Sequence, residues 1–290
     1  MAASALTSRP PAPSSPALAQ AAVLILYHGI EPEGAPAGDR FGLPQARWAE
    51  HLRQIQASGL PCLDLPAWWI AKERAQTAIE GSGTGVLLCF DDGGGSDYEQ
   101  AFPGLARMGL RATFFVNTAR IGRTGYLSWS QMREMQRAGM SFQSHSHDHH
   151  VLTRLPPEQL QRQLRISRHI LQERLGSPVH YLAAPYGLWN RTVMEMALLA
   201  GYRALCISRP GIAWAGETIL PRNAVRRATS ATELQRWLRC HPGSYAWRTS
   251  RDFLLHAPKQ LLLLCHPHWL RPATAEQNTG PYLTTPEGRH

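Results

Sequence analysis

Two places in this chain could do chemistry: a pair of carboxylates and a pair of histidines, each directly behind a short apolar run. Leu87-Leu88-Cys89-Phe90 leads straight into Asp91-Asp92, and Gly93, Gly94 and Gly95 follow. Neighbouring residues at the end of an extended segment point their side chains in different directions. Two bare carboxylates sharing a cleft repel, and one would rise in pKa. A bound cation removes that conflict for one of them and leaves the other free to act as a base. The glycines let the chain turn and leave space above the pair.

The second place is His145-Ser146-His147-Asp148-His149-His150. His145 and His149 put two imidazoles on one side of a helical turn or tight loop. With one carboxylate they make a two-histidine, one-carboxylate site that keeps positions open for water and substrate. The expected cofactor is one divalent transition metal, zinc first, with cobalt, nickel or iron also suited to these ligands. His147 and His150 are weaker ligand candidates, because one pair at i, i+4 suffices. A histidine cluster alone could be a surface feature with adventitious metal affinity. The Asp-Asp pair at another strand end argues against that.

These residues need elements to hold them. Short apolar runs, Val23–Tyr27, Val86–Phe90, Ala112–Val116, Ser141–Ser144, Val179–Ala183, Arg203–Ile207 and Leu261–Cys265, alternate with longer helix-patterned stretches. The helical stretches are Ala46–Ala57, Asp97–Met108, Gln131–Ala138, Pro157–Leu175, Arg191–Leu199 and Thr232–Leu238. Asp97 is expected as an N-cap and Pro157 as a first-turn residue. Gly59, Gly109, Gly139, Gly176 and Gly201 are placed to end helices. Near-continuously apolar strands alternating with helices imply a parallel sheet covered by helices, in an α/β fold. About seven such units fit a barrel better than an open doubly wound sheet, whose glycine-rich phosphate loop is missing after the first strand. In such barrels catalytic groups come from the C-terminal strand ends. His28, Asp91-Asp92, His145–His150, Pro185-Tyr186-Gly187 and His266-Pro267-His268 all follow apolar runs.

Composition narrows the class. The chain has 290 residues and a formal charge of +9, carried almost wholly by arginine. The arginines are scattered, which reads first as a solvated basic surface and second as contact with an anionic substrate. No basic patch or nucleic-acid motif is present, so no nucleic-acid partner is expected. No apolar run approaches the roughly 18 residues of a membrane span. Residues 1–20 are rich in Ala, Pro and Ser and read as disordered. The start lacks a basic region before an apolar core, so the expected location is the cytoplasm, or the periplasm or cell exterior if the N-terminus is truncated or mis-assigned. Cys62, Cys89, Cys206, Cys240 and Cys265 are odd in number and widely spaced, and no disulfide framework is expected. Trp68-Trp69 are expected in the core.

Taken in order, the motifs resemble the polysaccharide deacetylases, carbohydrate esterase family 4, with its NodB-homology domain. Cys89-Phe90-Asp91-Asp92-Gly93 is similar to the family's TFDDG motif. His145-Ser146-His147-Asp148-His149, with Leu152 behind it, is similar to the metal motif H-[ST]-x-x-x-H-x-x-L. Ala184-Pro185-Tyr186-Gly187 and Leu264-Cys265-His266 are similar to the third and the late motif. The small residue before Pro-Tyr-Gly, and His266-Pro267-His268-Trp269, resemble the subgroup acting on surface polysaccharides and β-1,6-linked N-acetylglucosamine.

The resemblance implies a distorted (β/α)7-type barrel of parallel strands as a catalytic domain over residues 21–270, with 271–290 as a tail outside it, and an N-acetylated saccharide as substrate. It implies Asp91 as general base, Asp92, His145 and His149 as metal ligands, the Tyr186 N–H as oxyanion donor, and His266 as general acid. His28, Pro185, Trp189 and Trp269 are expected to line the saccharide cleft. The family's third motif usually opens with an arginine that pairs with the base, and Ala183 stands there. Arg222 is the expected replacement, with Arg226 second. Two other readings remain open: hydrolysis of another C–N bond, in a formamide or cyclic imide, and a catalytically silent carbohydrate-binding protein.

Overall fold

The structure, a computed structural model, describes residues 21–36, 38, 40–75, 84–214 and 216–239. Expectations for residues 1–20, for the Leu261–Cys265 strand, for Cys240, His266 and Trp269, and for the 271–290 tail lie outside them. The strands are β1 (Ala21–Tyr27), β2 (Gly29–Glu31), β3 (Gly42–Pro44), β4 (Cys62–Leu63), β5 (Thr84–Phe90) and β6 (Ala112–Val116). Then come β7 (Ser141–Ser144), β8 (Tyr181–Ala183), β9 (Ala204–Ile207), β10 (Ala213–Trp214), β11 (Ile219–Pro221) and β12 (Asn223–Ala224). The helices are α1 (Gln45–Ala57), α2 (Leu65–Ala75), α3 (Phe102–Arg107), α4 (Trp129–Arg137), α5 (Pro157–Leu175), α6 (Arg191–Leu199) and α7 (Ala231–Leu238).

The main sheet runs β10-β1-β5-β6-β7-β8-β9-β11, and every pairing in it is parallel except that of β10 with β1. Its strands are apolar on both sides because both sides are covered. In β1, Val23, Ile25 and Tyr27 join the core shared with the helices, while Ala22, Leu24 and Leu26 join a second, inner core. This is the two-residue alternation of a strand with no solvent face. The inner core contains small residues, Ala183, Ala204, Cys89 and Cys206 among them. Trp68 and Trp69 of α2 are buried against this set, as expected of core residues.

The sheet nearly closes on itself into a barrel at a seam that the apolar runs did not announce. β11 pairs with β9, placing Pro221 opposite Ile207, and β12 pairs with β1, placing Asn223 opposite Ile25. Arg222 is the single residue between these two strands. Asn223 locks the seam, donating from Nδ2 to the carbonyls of Leu24 at 3.2 Å and Gly211 at 2.8 Å.

Helix ends follow local chemistry. Ser128 caps α4 with a full capping box, Asn190 caps α6 and Ser230 caps α7. Gly59, Gly109, Gly139, Gly176 and Gly201 all have positive φ, as residues that end helices do. One expectation fails: Asp97 is not an N-cap. Ser96 precedes the turn, Asp97 lies inside it, and the segment opens as a π-turn over Asp97–Ala101 before α3 begins. Among the described residues no helix is long and apolar enough to cross a membrane.

α1 carries a buried titratable group. His51 lies 3.3 Å through Nδ1 from the Tyr27 hydroxyl, and its burial lowers the imidazole pKa to about 4. An unfolded chain titrates this group near 6.5, so it binds more protons than the folded chain between those values. The contribution is full above pH 6.5 and is lost as pH falls toward 4, by at most about 3 kcal/mol. Chemical denaturation of wild type and His51→Gln at pH 7.5, 5.5 and 4.5 should show a flatter acid decline in the variant. Parallel declines would remove His51 as the source.

Candidate active site

The C-terminal ends of β1, β5, β6, β7 and β8 bring the chemistry-bearing residues together. Backbone bonds continue past the strands: Asp91 N–H donates to the Tyr27 carbonyl at 3.0 Å, and His145 N–H to the Val116 carbonyl at 2.9 Å. Asp91 is buried and Asp92 partly so. The nearest approaches are His149 Nε2 to Asp92 Oδ1 at 3.2 Å, His145 Nε2 to Asp92 Oδ1 at 3.6 Å and His145 Nε2 to Asp91 Oδ2 at 3.9 Å.

Among the described residues, four that are not glycine hold positive φ: Asp92 at 77°, Ser146 at 65°, His149 at 65° and Tyr186 at 61°. All four stand at this site. Left-handed backbone at such residues costs about 1–3 kcal/mol each and persists where surrounding structure over-determines it. Gly93, at φ 69°, is required twice over, because a Cβ there would also lie 2.8 Å from Val116 Cγ1. Gly94 and Gly95 are less constrained: a Cβ on either meets only ordinary contacts.

Asp91 is held by the seam. Arg222 is fully buried and donates from both terminal nitrogens, Nη1 to Oδ1 at 2.7 Å and Nη2 to Oδ2 at 2.8 Å. Its guanidinium lies 5.2 Å from the centre of the Phe115 ring. Burial alone would raise the Asp91 carboxyl, but Arg222 and then His145 pull it below the ordinary carboxylate range. Arg222 is thus the arginine that meets Asp91. Ala183 instead contributes its carbonyl, 2.9 Å from His145 Nδ1. That bond puts the proton on Nδ1 and leaves the Nε2 lone pair facing Asp92. Burial, partly offset by Asp91, lowers the His145 pKa to about 4, so its ring is neutral near pH 7.

Asp92, His145 and His149 each offer one donor atom, all within 4.8 Å of one another. Asp92 Oδ1 is buried and makes no hydrogen bond among the described residues, although two imidazole nitrogens face it. An orphaned carboxylate oxygen, two neutral-capable imidazoles and an oriented tautomer fit a divalent transition metal.

The remaining residues fall around this group. The Tyr186 ring packs edge-on against His149 with centroids 4.6 Å apart, in a tight turn over Pro185–Gly187. Pro185 is buried, and Trp189 is 36% exposed beyond that turn. His28 follows β1 and lies 4.5 Å ring to ring from Phe41. His266 and Trp269 are outside the described residues. The motifs did not point to Asn117, whose Nδ2 donates to the His145 carbonyl at 2.5 Å. It directly follows β6, so the strand-end rule would have found it.

Known proteins resemble this chain in sequence and in fold. The family model for polysaccharide deacetylase matches residues 79–205, and the barrel superposes on solved deacetylases. Residues 79–205 are thus similar to the polysaccharide deacetylases. The Bacillus subtilis protein YxkH is 27% identical over 190 residues, 66% of this chain and 65% of YxkH. A Staphylococcus epidermidis poly-β-1,6-N-acetyl-D-glucosamine N-deacetylase is 34% identical over 119 residues, 36% of this chain and 41% of the relative. The chain therefore spans less than two thirds of the length of these curated relatives. Among solved structures, the Streptococcus pyogenes deacetylase PplD, in complex with acetate, is 25% identical with a TM-score of 0.68, over 75% of this chain and 98% of PplD. IcaB from Ammonifex degensii is 24% identical with a TM-score of 0.66, over 76% and 97% of the two chains, and supports the fold.

Within residues 79–205 one further carboxylate stands out. Asp97 is fully buried, and neither oxygen has a hydrogen-bond partner among the described residues. Burial, then the charges of Asp92 and Asp91, raise its pKa well above the ordinary value. A carboxyl raised on folding stabilises most below its unfolded pKa, and that contribution is lost as pH rises through the folded value. Asp97→Asn removes the charge while keeping the shape. Its stability advantage over wild type should grow from pH 5 to pH 8, in the range of 1–3 kcal/mol typical, to roughly a factor of two, of an unsatisfied buried group. An advantage that shrinks with rising pH in denaturation curves would contradict the assignment.

Proposed function

We propose that this chain removes the N-acetyl group from an amino sugar held in a polysaccharide, oligosaccharide or carrier-linked saccharide. The match of residues 79–205 to the polysaccharide deacetylases supports carbohydrate N-deacetylation as the reaction class. One observation carries the reading to a mechanism: a buried carboxylate clamped by arginine sits beside a separate carboxylate with two imidazoles.

Asp92, His145 and His149 would hold the metal. When bound, a divalent ion there lowers the pKa of water and so makes a nucleophile strong enough for an amide. Asp91 is the general base. Arg222 keeps it ionised and aims it, so its lone pair is available for the proton of the attacking water. The Tyr186 backbone N–H, fixed by the left-handed turn, donates to the developing oxyanion. His266 protonates the leaving amine, a task suited to an imidazole near neutral pH. Pro185, His28 and Trp189 line the saccharide cleft, where aromatic faces cover the apolar faces of sugar rings.

Elemental analysis of purified protein, paired with acetate release from N-acetylglucosamine oligomers before and after chelation, tests the reading directly. One bound transition metal and chelator-sensitive acetate are expected. Asp92→Ala and His145→Ala should lose stoichiometric metal. Asp91→Asn should keep the metal and lose about 10²–10⁴ in kcat. Metal at full occupancy in the first two, or an undiminished rate in the third, would overturn those roles.

Arg222→Ala withdraws the positive charge that keeps Asp91 ionised. The Asp91 pKa then rises, and the acidic limb of the kcat/KM profile should move to higher pH. An unmoved limb would separate Arg222 from the base.

A further inference from the structure

The loop carrying His149 is bent against backbone preference at both Ser146 and His149. One side chain from α5 reaches across to hold it. Gln163 Oε1 accepts from the backbone N–H of His147 at 3.2 Å and of Asp148 at 3.3 Å. Gln163 Nε2 donates to Asp148 Oδ2 at 2.7 Å. The other Asp148 oxygen lies 2.5 Å from His150 Nδ1. From the opposite side, Ala119 N–H donates to the His147 carbonyl at 2.9 Å, and the Thr118 hydroxyl lies 2.7 Å from His147 Nδ1.

The chemistry of this tie is selective. Two peptide N–H groups need an acceptor, and the adjacent carboxylate needs a donor. A primary amide presents both side by side. A carboxylate at position 163 would still accept the two N–H bonds but would turn its second oxygen onto Asp148. An apolar side chain would release all three bonds.

We infer that Gln163 is a positioning residue for the metal centre. It fixes the 147–148 backbone so that the next residue, His149, stays in the left-handed conformation with Nε2 facing Asp92. This rests on the reading of Asp92, His145 and His149 as ligands.

The test is metal affinity of the full chain, measured with Zn(II) and Co(II) against a chromophoric chelator, with the Co(II) visible spectrum as a readout of ligand geometry. Thermal melting of the metal-free proteins runs alongside. Gln163→Glu should weaken binding about 10–100-fold, the usual cost of removing an outer partner of a metal ligand, and alter the Co(II) spectrum. Adding Asp148→Asn to that variant supplies an amide donor to the carboxylate introduced at position 163, and most of the loss should be recovered. Gln163→Met, which adds no charge, should weaken binding in the same direction. Wild-type affinity in both single variants would overturn the inference. So would a double variant no better than Gln163→Glu, or affinity losses that merely track lowered melting temperatures. Wild type that binds neither ion would overturn the ligand assignment itself, a result distinct from metal binding that is indifferent to residue 163.

Discussion

Arg222 and Asp91 form the contact on which the arrangement depends. Both are buried, and both terminal nitrogens of the guanidinium are matched to both oxygens of the carboxylate. Removing two charges from water is costly, and only close, two-fold geometry offsets it. The barrel supplies the room. Cys89 and Cys206 belong to the inner core, and Phe115 offers its ring face to the guanidinium. Because Arg222 is also the one residue between β11 and β12, closing the sheet and placing the partner of Asp91 are a single structural event. A pair of this kind is expensive to break from either side, since the survivor would be a buried lone charge.

The two adjacent carboxylates are thereby given different surroundings. Asp91 faces an arginine inside the barrel; Asp92, turned by its left-handed backbone, faces two imidazoles. Neighbours in sequence that share an environment would compete for protons. Here the pair is divided into one clamped carboxylate and one with an oxygen left for a cation. Backbone strain is concentrated where this division is made, at Asp92, Ser146, His149 and Tyr186, and side chains such as Gln163 and Ser144 hold the strained loop through its N–H groups.

Much of this was legible from residue types and spacing. Apolar runs marked β1, β5, β6, β7, β8 and β9, glycines marked the helix ends, and polar residues behind the runs marked the functional face. These are local signals: a strand buried on both sides must be apolar, and a helix that stops needs a residue tolerant of positive φ. Asp97 misled because its side chain is a good N-cap, whereas the π-turn carries it into the interior beside two other acids. Asn117 is neither an acid, a base nor a metal ligand, and it acts by holding the His145 carbonyl.

By itself the sequence determined the alternating architecture, the identity of the motif residues and the family they resemble, because each depends on near neighbours in the chain. Only the tertiary structure decided which arginine meets Asp91, that Ala183 serves through its carbonyl, and that Gln163 braces the histidine loop. Those contacts join residues 131, 38 and about 15 positions apart. No local propensity encodes them. The first exists because the sheet curls until β11 and β12 are one residue apart, the second because β8 lies beside β7, and the third because α5 packs over the loop after β7.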